Sequence, residues 1–423
     1  MVTPSSHLFE FLANPENQKA IAELEKLLAP MDSHAMPLPA SVPRKSGDTE
    51  ARLHLAEARA GSRLAAIRGE APRLDAAALE GNIEHFLGFA QVPLGLIGPL
   101  RIRGTKAQGD YYVPLATTEG ALVASYGRGA RLLSLAGGVS CASLPAWVQR
   151  APGFAFRTLA EAGRFAAWVS TQFEVFQAEA STRSRHAELA RVAPHMEGNQ
   201  VHLVLSYSTG DAAGQNMVTL CSEAVCQRIL ATTPVKPRYW FLEANFSGDK
   251  KATVQSLLTN RGHKVVAEAR ISKALVERGL HTTVKRMCDY WRMSFTGGAQ
   301  TGSIGVSGHV ANGLAAIFLA TGQDVACVSE AAIGITRLEQ EEDGGLYISV
   351  TLPNLIVGSL GGGTRMPTAT ECLKLMGCLG ESGADALAEI CAAVSMAGEL
   401  SIIGALCAGD FASAHAKLGR KKA

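Results

Sequence analysis

Gln200-Val-His-Leu-Val-Leu-Ser-Tyr207, then Gly210-Asp-Ala-Ala-Gly-Gln-Asn216, then a run from Met217 to Ala231 with an apolar residue on most turns, decides how this chain is read. The first piece predicts a strand, the second a glycine-containing turn, and the third, taken from Asn216, a helix. A helix over Thr158–Glu179 precedes them and a short strand over Arg238–Leu242 follows. Helices and strands in that proportion mark residues 152–241 as a small α+β unit inserted into a larger one.

Outward from that unit the character changes. Residues 1–79 read as a charged, helical N-terminal segment. Ile21–Leu28 has helical spacing, Pro30, Pro37, Pro39 and Pro43 interrupt it, and Thr49–Ile67 predicts an amphipathic helix. Residues 80–151 and 242–423 read as one larger unit, α/β in character. Within it Val92–Arg103 forms turns leading into a strand, and Thr118–Ser125 opens a buried helix. Further helices are expected over Ile271–Met287, Gly308–Thr321, Glu371–Leu379 and Ala384–Cys407, with a strand over Leu346–Leu352. No repeat or low-complexity tract occurs.

The bulk numbers exclude several classes. The 423 residues are 47% hydrophobic and 18% charged, which is ordinary for a globular chain. A formal charge of +2 provides no global attraction to nucleic acid or to an anionic membrane. Nine scattered cysteines without a CxxC pair argue against a zinc site or a disulfide framework, and for reduced thiols in a cytoplasm. Met1–Phe11 lacks the basic start and apolar run of a signal peptide. No stretch of roughly 18 uninterrupted apolar residues is seen, so no membrane span is expected.

The chemistry is carried by dispersed short segments. The nucleotide fingerprint GxGxxG is absent, but Gly210–Asn216 stands before a helix whose N-terminus would favour an anionic group. A plain capped turn is the competing reading. Glu119, among Ala, Thr, Gly and Leu, is either a buried acid holding a proton or a first-turn carboxylate facing the helix dipole. Asp249-Lys-Lys251, Asp324 after Gly322-Gln323, Gly361-Gly-Gly-Thr364 and His415 each have an ordinary surface or turn explanation when taken alone.

In order along the chain, these segments resemble the hydroxymethylglutaryl-CoA reductase family from about Glu80 to Arg420. Ala116–Ser125 is similar to its catalytic-glutamate motif, and Gly210–Met217 to its cofactor motif, usually DAMGMNM. Gly248–Lys251 resembles its DKK element, Gly322–Asp324 its GQD element, and Ala408–His415 its terminal histidine segment. The resemblance implies a large catalytic domain, an inserted ferredoxin-like cofactor domain and active sites shared in a homodimer or a dimer of dimers. It implies Glu119 as proton donor and acceptor, Lys250 as the cation at the substrate carbonyl, Asp324 as the acid tuning both, and His415 as proton donor to the CoA thiolate. It places Arg150, Asp249, Lys251 and Asn312 at the acyl group, and Ser184, Arg185, Asp211, Gly214 and Asn216 at the cofactor. No metal is implied. NADPH is favoured over NADH, because Arg183-Ser-Arg-His186 offers charge and hydrogen bonds to a 2′-phosphate.

Two departures stand out. Glu243 replaces a serine that would bind the substrate carboxylate, and Ala213 and Gln215 replace methionines of the cofactor motif. The expected reaction is reduction of hydroxymethylglutaryl-CoA to mevalonate, through a hemithioacetal and an aldehyde. Glu243 keeps a related acyl-CoA open as substrate, and a silent acyl-CoA-binding homologue is the third reading.

Overall fold

The computed structural model describes residues 22, 25–29, 37–259 and 261–410. The first elements are α1 (Thr49–Ala60), the hairpin β1 (Leu94–Gly104) and β2 (Gln108–Ala116), α2 (Leu122–Leu135) and β3 (Val139–Arg150). Next come β4 (Gly153–Ala155), α3 (Leu159–Val169), α4 (Phe173–Ser181), β5 (Glu188–Glu197), β6 (Gln200–Ser208), α5 (Gln215–Thr232) and β7 (Tyr239–Phe241). The remainder comprises β8 (Gly262–Ile271), α6 (Lys273–Leu280), α7 (Val284–Thr301), α8 (Val310–Thr321), β9 (Ile335–Gln340), β10 (Leu346–Leu355), α9 (Pro367–Leu375) and α10 (Gly383–Ala408).

From β4 to β7 the strands lie in the order β7-β4-β6-β5, every neighbouring pair antiparallel. With helices after the first and third strands this is the ferredoxin-like arrangement. The second part of the sheet is built on β8, which pairs antiparallel with β10 and with the first half of β3; β10 pairs with β9. Strand β1 joins β3 in parallel. The far end of β3, Val148–Arg150, pairs with Leu205–Tyr207 of β6. One strand therefore belongs to both parts, and Arg150 sits where they meet.

The sequence reading differs from the structure in several places. The helix expected over Thr49–Ile67 stops at Ala60, with Gly61 in the left-handed conformation as its cap. The helix expected over Thr158–Glu179 is two, because Ser170 and Thr171 hydroxyls bond back to the carbonyls of Ala166 and Trp168 and the chain turns there. Ile271 ends a strand; Ser272 caps α6, His281 ends it, and Thr283 caps α7. The buried helix expected from Thr118 begins only at Leu122, and Glu119 is exposed on the approach to it. The helix expected over Glu371–Leu379 runs instead over Pro367–Leu375, with Pro367 in its first turn, and strands β2, β3, β4, β5, β8 and β9 lie outside the expected set.

Helix α10 is the axis of the core. By length and composition it is apolar enough to cross a membrane, although Asp385, Glu389 and Glu399 break it short of 18 uninterrupted apolar residues, and 89% of its most apolar window is buried inside the protein. Two carboxylates are buried on it without exposed surface, Glu389 and Glu399. Each is satisfied by backbone N–H groups, as buried polar atoms must be. Glu389 accepts from Thr105, Lys106 and Ala107 in the β1–β2 turn at 2.7–3.0 Å, and from Ser143 of β3 at 3.3 Å. Glu399 accepts from Gly308 and His309, just ahead of α8, and from the Thr336 hydroxyl at 2.7 Å.

Helix α2 crosses α10 at Gly129, where an added Cβ would lie 1.8 Å from the Ala397 carbonyl oxygen. Gly129→Ala must push the helices apart. It should cost about 1–3 kcal/mol and lower the melting temperature by several degrees. An unchanged melt would show that the crossing can relax.

Candidate active site

Lys250 lies in the loop after β7, in the left-handed backbone conformation with φ 56. Its ammonium pairs with Asp324 Oδ2 at 2.7 Å, both side chains being 40% exposed. The hydrogen bond it donates to Asp324 raises the Lys250 pKa above its usual value, so the cation is secure at neutral pH. Burial opposes ionisation of Asp324, but the Lys250 ammonium outweighs it and holds the carboxyl below the usual range. Asp324 also caps the turn that follows α8 by accepting from the Ala326 N–H at 3.1 Å.

Arg150, at the end of β3, donates from Nη1 to Asp249 Oδ2 at 3.0 Å and from Nε to Thr219 at 2.9 Å. Lys251 is exposed and donates to the Asp249 carbonyl at 2.9 Å. Two residues that the sequence reading missed lie beneath this loop, Arg261 and Glu330, both essentially without exposed surface. Burial pushes the Glu330 carboxyl above the usual range against the pull of Arg261. The only signal for Glu330 was an acid inside the small, apolar run Val328-Ser-Glu-Ala-Ala-Ile333.

Glu119 and Asn312 form a second group. Asn312 Nδ2, on α8, donates to Glu119 Oε2 at 2.7 Å. Both line a cleft of about 830 Å³ together with Arg44, Arg128, Arg131 and Asp410. Among the described residues no hydrogen bond or ion pair joins this group to Lys250 or Asp324. His415 lies outside the described residues.

The motif glycines converge. The turn at Gly210–Asn216 pairs with the loop after β10 through Ala212 and Leu360, and the Asp211 carbonyl accepts from the Ser359 N–H at 2.9 Å. Gly322 lies against Gly363 so closely that a Cβ on the former would sit 2.2 Å from the latter's carbonyl. At Gly361 and Gly362 the space is open. Gly214 and the exposed Asn216 stand at the start of α5. Asp211 has another occupation: its carboxylate accepts from Ser382 and Ala384 N–H at 3.1 and 2.9 Å, capping α10. Ser184 and Arg185 follow α4, Arg185 exposed and Ser184 accepting from the His186 N–H.

The two departures are also resolved in space. Glu243 faces its own backbone, accepting from Ala151 N–H at 3.1 Å and Asn245 N–H at 2.9 Å. Gln215 donates from Nε2 to Asp324 Oδ2 at 3.4 Å and to Cys327 Sγ at 3.2 Å, contacts that a methionine cannot make.

Because the ammonium is the main group that depresses Asp324, Lys250→Met should raise the Asp324 pKa, leaving only the Ala326 N–H and the Gln215 amide to oppose burial. In the parent the pair persists as pH falls and is lost only below the ordinary carboxylate range. Carboxyl-carbon NMR titration of parent and variant checks this, and an unmoved Asp324 would mean that another group holds it down.

A family model described as hydroxymethylglutaryl-coenzyme A reductase matches residues 48–420. The 3-hydroxy-3-methylglutaryl-coenzyme A reductase of Haloferax volcanii is 42% identical over 377 residues, 88% of this chain and 92% of that protein. That of Aeropyrum pernix is 44% identical over 346 residues, 80% of this chain and 82% of that one. Among solved structures, the class II enzyme of Streptococcus pneumoniae bound to NADPH superposes with a TM-score of 0.68 at 18% identity, covering 86% of this chain and 98% of that one. At that identity the likeness is one of fold. The extent of the family match, with the Haloferax and Aeropyrum identities, places this chain in the hydroxymethylglutaryl-coenzyme A reductase family.

Proposed function

We propose that the protein reduces 3-hydroxy-3-methylglutaryl-CoA to mevalonate and free CoA, with NADPH as its cofactor. The observation that carries the reading is the Lys250–Asp324 pair, a secured cation beside the motif turns that converge on Gly322, Gly363 and Gly210–Asn216. The engagement of Glu243 by two backbone N–H groups weakens the motive for a different acyl-CoA, since its carboxylate is held to the chain.

The residues present suit a dinucleotide. The start of α5 offers N–H groups to phosphate, and open space at Gly361 and Gly362 admits a flat ligand. Ser184, Arg185, Gly214 and Asn216 are the proposed holders, in a cofactor domain spanning 152–241, with Asp211 acting through the cap it gives α10. When bound, the reduced nicotinamide supplies a hydride in each of two steps.

The chain's own groups manage charge and protons. Reduction of the thioester leaves an oxyanion on the carbonyl carbon, which the Lys250 ammonium stabilises. Asp324 keeps that ammonium protonated and aimed. Collapse of the hemithioacetal releases a thiolate, for which His415 is the proposed acid. Glu119, oriented by Asn312, is the proposed proton source for the aldehyde. Arg150 and Lys251 offer cations to the free carboxylate of the acyl group, with Asp249 orienting Arg150. Glu119 and Lys250 stand in separate groups within one chain, and Ile83, Leu87 and Phe89 expose apolar surface. Both features support a site completed by a second copy.

Cofactor oxidation that requires hydroxymethylglutaryl-CoA should be seen at the reduced-nicotinamide absorbance band. Lys250→Ala should lower kcat by about 100-fold or more; retention of activity would sink the reading. Replacing Arg183 and Arg185 together by Ala should raise KM for NADPH about tenfold and leave KM for NADH nearly unchanged. An equal effect on both cofactors would remove these arginines from the 2′-phosphate.

A further inference from the structure

A non-glycine residue in the left-handed region is strained unless its surroundings hold it there. Lys250 is such a residue, and its N–H donates to Glu330 Oε1 at 3.0 Å. The same oxygen accepts from Arg261 Nη1. Arg261 Nη2 lies 2.8 Å from Asp249 Oδ1 in an ion pair, and Asp249 Oδ2 receives Arg150. Arg150 Nη2 donates to the Gln215 carbonyl at 3.3 Å, and the Gln215 side chain donates to Asp324. Asp324 holds Lys250 Nζ. The contacts return to the residue they left, running from the main-chain nitrogen of Lys250 to its ammonium. Lys250, Arg150 and Arg261 balance Asp324, Asp249 and Glu330 in charge.

We propose that Glu330 and Arg261 are positioning residues for Lys250: they hold its backbone in the strained conformation that delivers the ammonium to Asp324. The inference rests on the reading of Lys250 as the oxyanion's cation. Neither residue reaches the reacting carbonyl, since both are buried beneath the loop. A buried ion pair is a poor source of stability, because an apolar pair of equal volume often serves as well. An apolar side chain cannot accept the Lys250 N–H, and that is what the carboxylate contributes here. Arg261 spans Glu330 and Asp249 at once, so the two central residues of the Gly248–Lys251 turn, Asp249 and Lys250, are tied to a common anchor.

The test compares Glu330→Met, Glu330→Gln, Arg261→Lys and Lys250→Ala by steady-state kinetics with hydroxymethylglutaryl-CoA and NADPH, corrected for the folded fraction by circular dichroism. Glu330→Met should lower kcat about 10- to 100-fold, with both KM values changed less than about twofold, as for a displaced catalytic group. Glu330→Gln keeps an acceptor for the Lys250 N–H and should return kcat to within about threefold of the parent. Parent-like kcat in Glu330→Met, equal losses in the Met and Gln variants, or a loss confined to KM would each overturn the proposal. Should Glu330→Met not fold, Arg261→Lys decides: lowered kcat at constant KM supports the proposal and unchanged kcat overturns it. Full activity in Lys250→Ala would instead refute the reading of Lys250 itself. An inactive Lys250→Ala beside an active Glu330→Met would refute only the positioning.

Discussion

A 26-residue helix that is apolar along most of its length has to be taken out of water, and the rest of the molecule is arranged to do this. Burial alone would leave α10 free to slide or rotate against its neighbours. Three carboxylates remove that freedom at three heights. Asp211 caps its first turn, Glu389 gathers the β1–β2 turn and β3, and Glu399 gathers the chain ahead of α8. An acid buried for the sake of backbone N–H groups fixes direction as well as depth, because only one rotation of the helix satisfies it. Burial alone raises the Glu399 pKa, and the N–H groups around it work against that rise. The turn proposed to hold the cofactor and the helix carrying Asn312 are thereby referred to the same axis.

Much of this was legible in the sequence, and what was not has physical reasons. Helices α5, α8 and α10 fall within two residues of the expected bounds, because their apolar runs are bounded by Gly214, Gly322 and Gly409. Strand β5 was hidden: it pairs on one side only, carries Pro194, and exposes charged residues at both ends. Strand β3 is partly polar and β8 sets small alanines among its inward positions, Val265, Ala267, Ala269 and Ile271, with charged residues between them, so neither offers a strong apolar run. The order of the site motifs could be read directly. Their partners could not, since Glu330 lies 80 residues beyond Lys250 and Arg261 reaches it across 69.

The departures from the family pattern show the same limit from the other side. A sequence states that Glu243 carries charge but not that two N–H groups absorb it. It shows Gln215 as a change of packing volume, whereas in space the amide is the link between the start of α5 and Asp324. Residue identity is local information; which way a side chain turns is decided by what the fold places within 3 Å of it.

The neutral circuit around Lys250 also bears on how an oxyanion could be received there. An ammonium has three N–H donors, and Asp324 occupies one of them. A lysine gripped by several carboxylates would be charged but spent, its donors all pointing inward. A lysine with none would be free to turn away and, once desolvated by substrate, free to lose its proton. One half-exposed carboxylate on the side chain, with a buried one on the backbone, separates the two requirements: Asp324 keeps the charge and Glu330 keeps the place. Under the proposed role of Lys250, the remaining donors are left for a negative charge that exists only while the reaction is under way, which is where electrostatic stabilisation lowers a barrier instead of merely tightening binding.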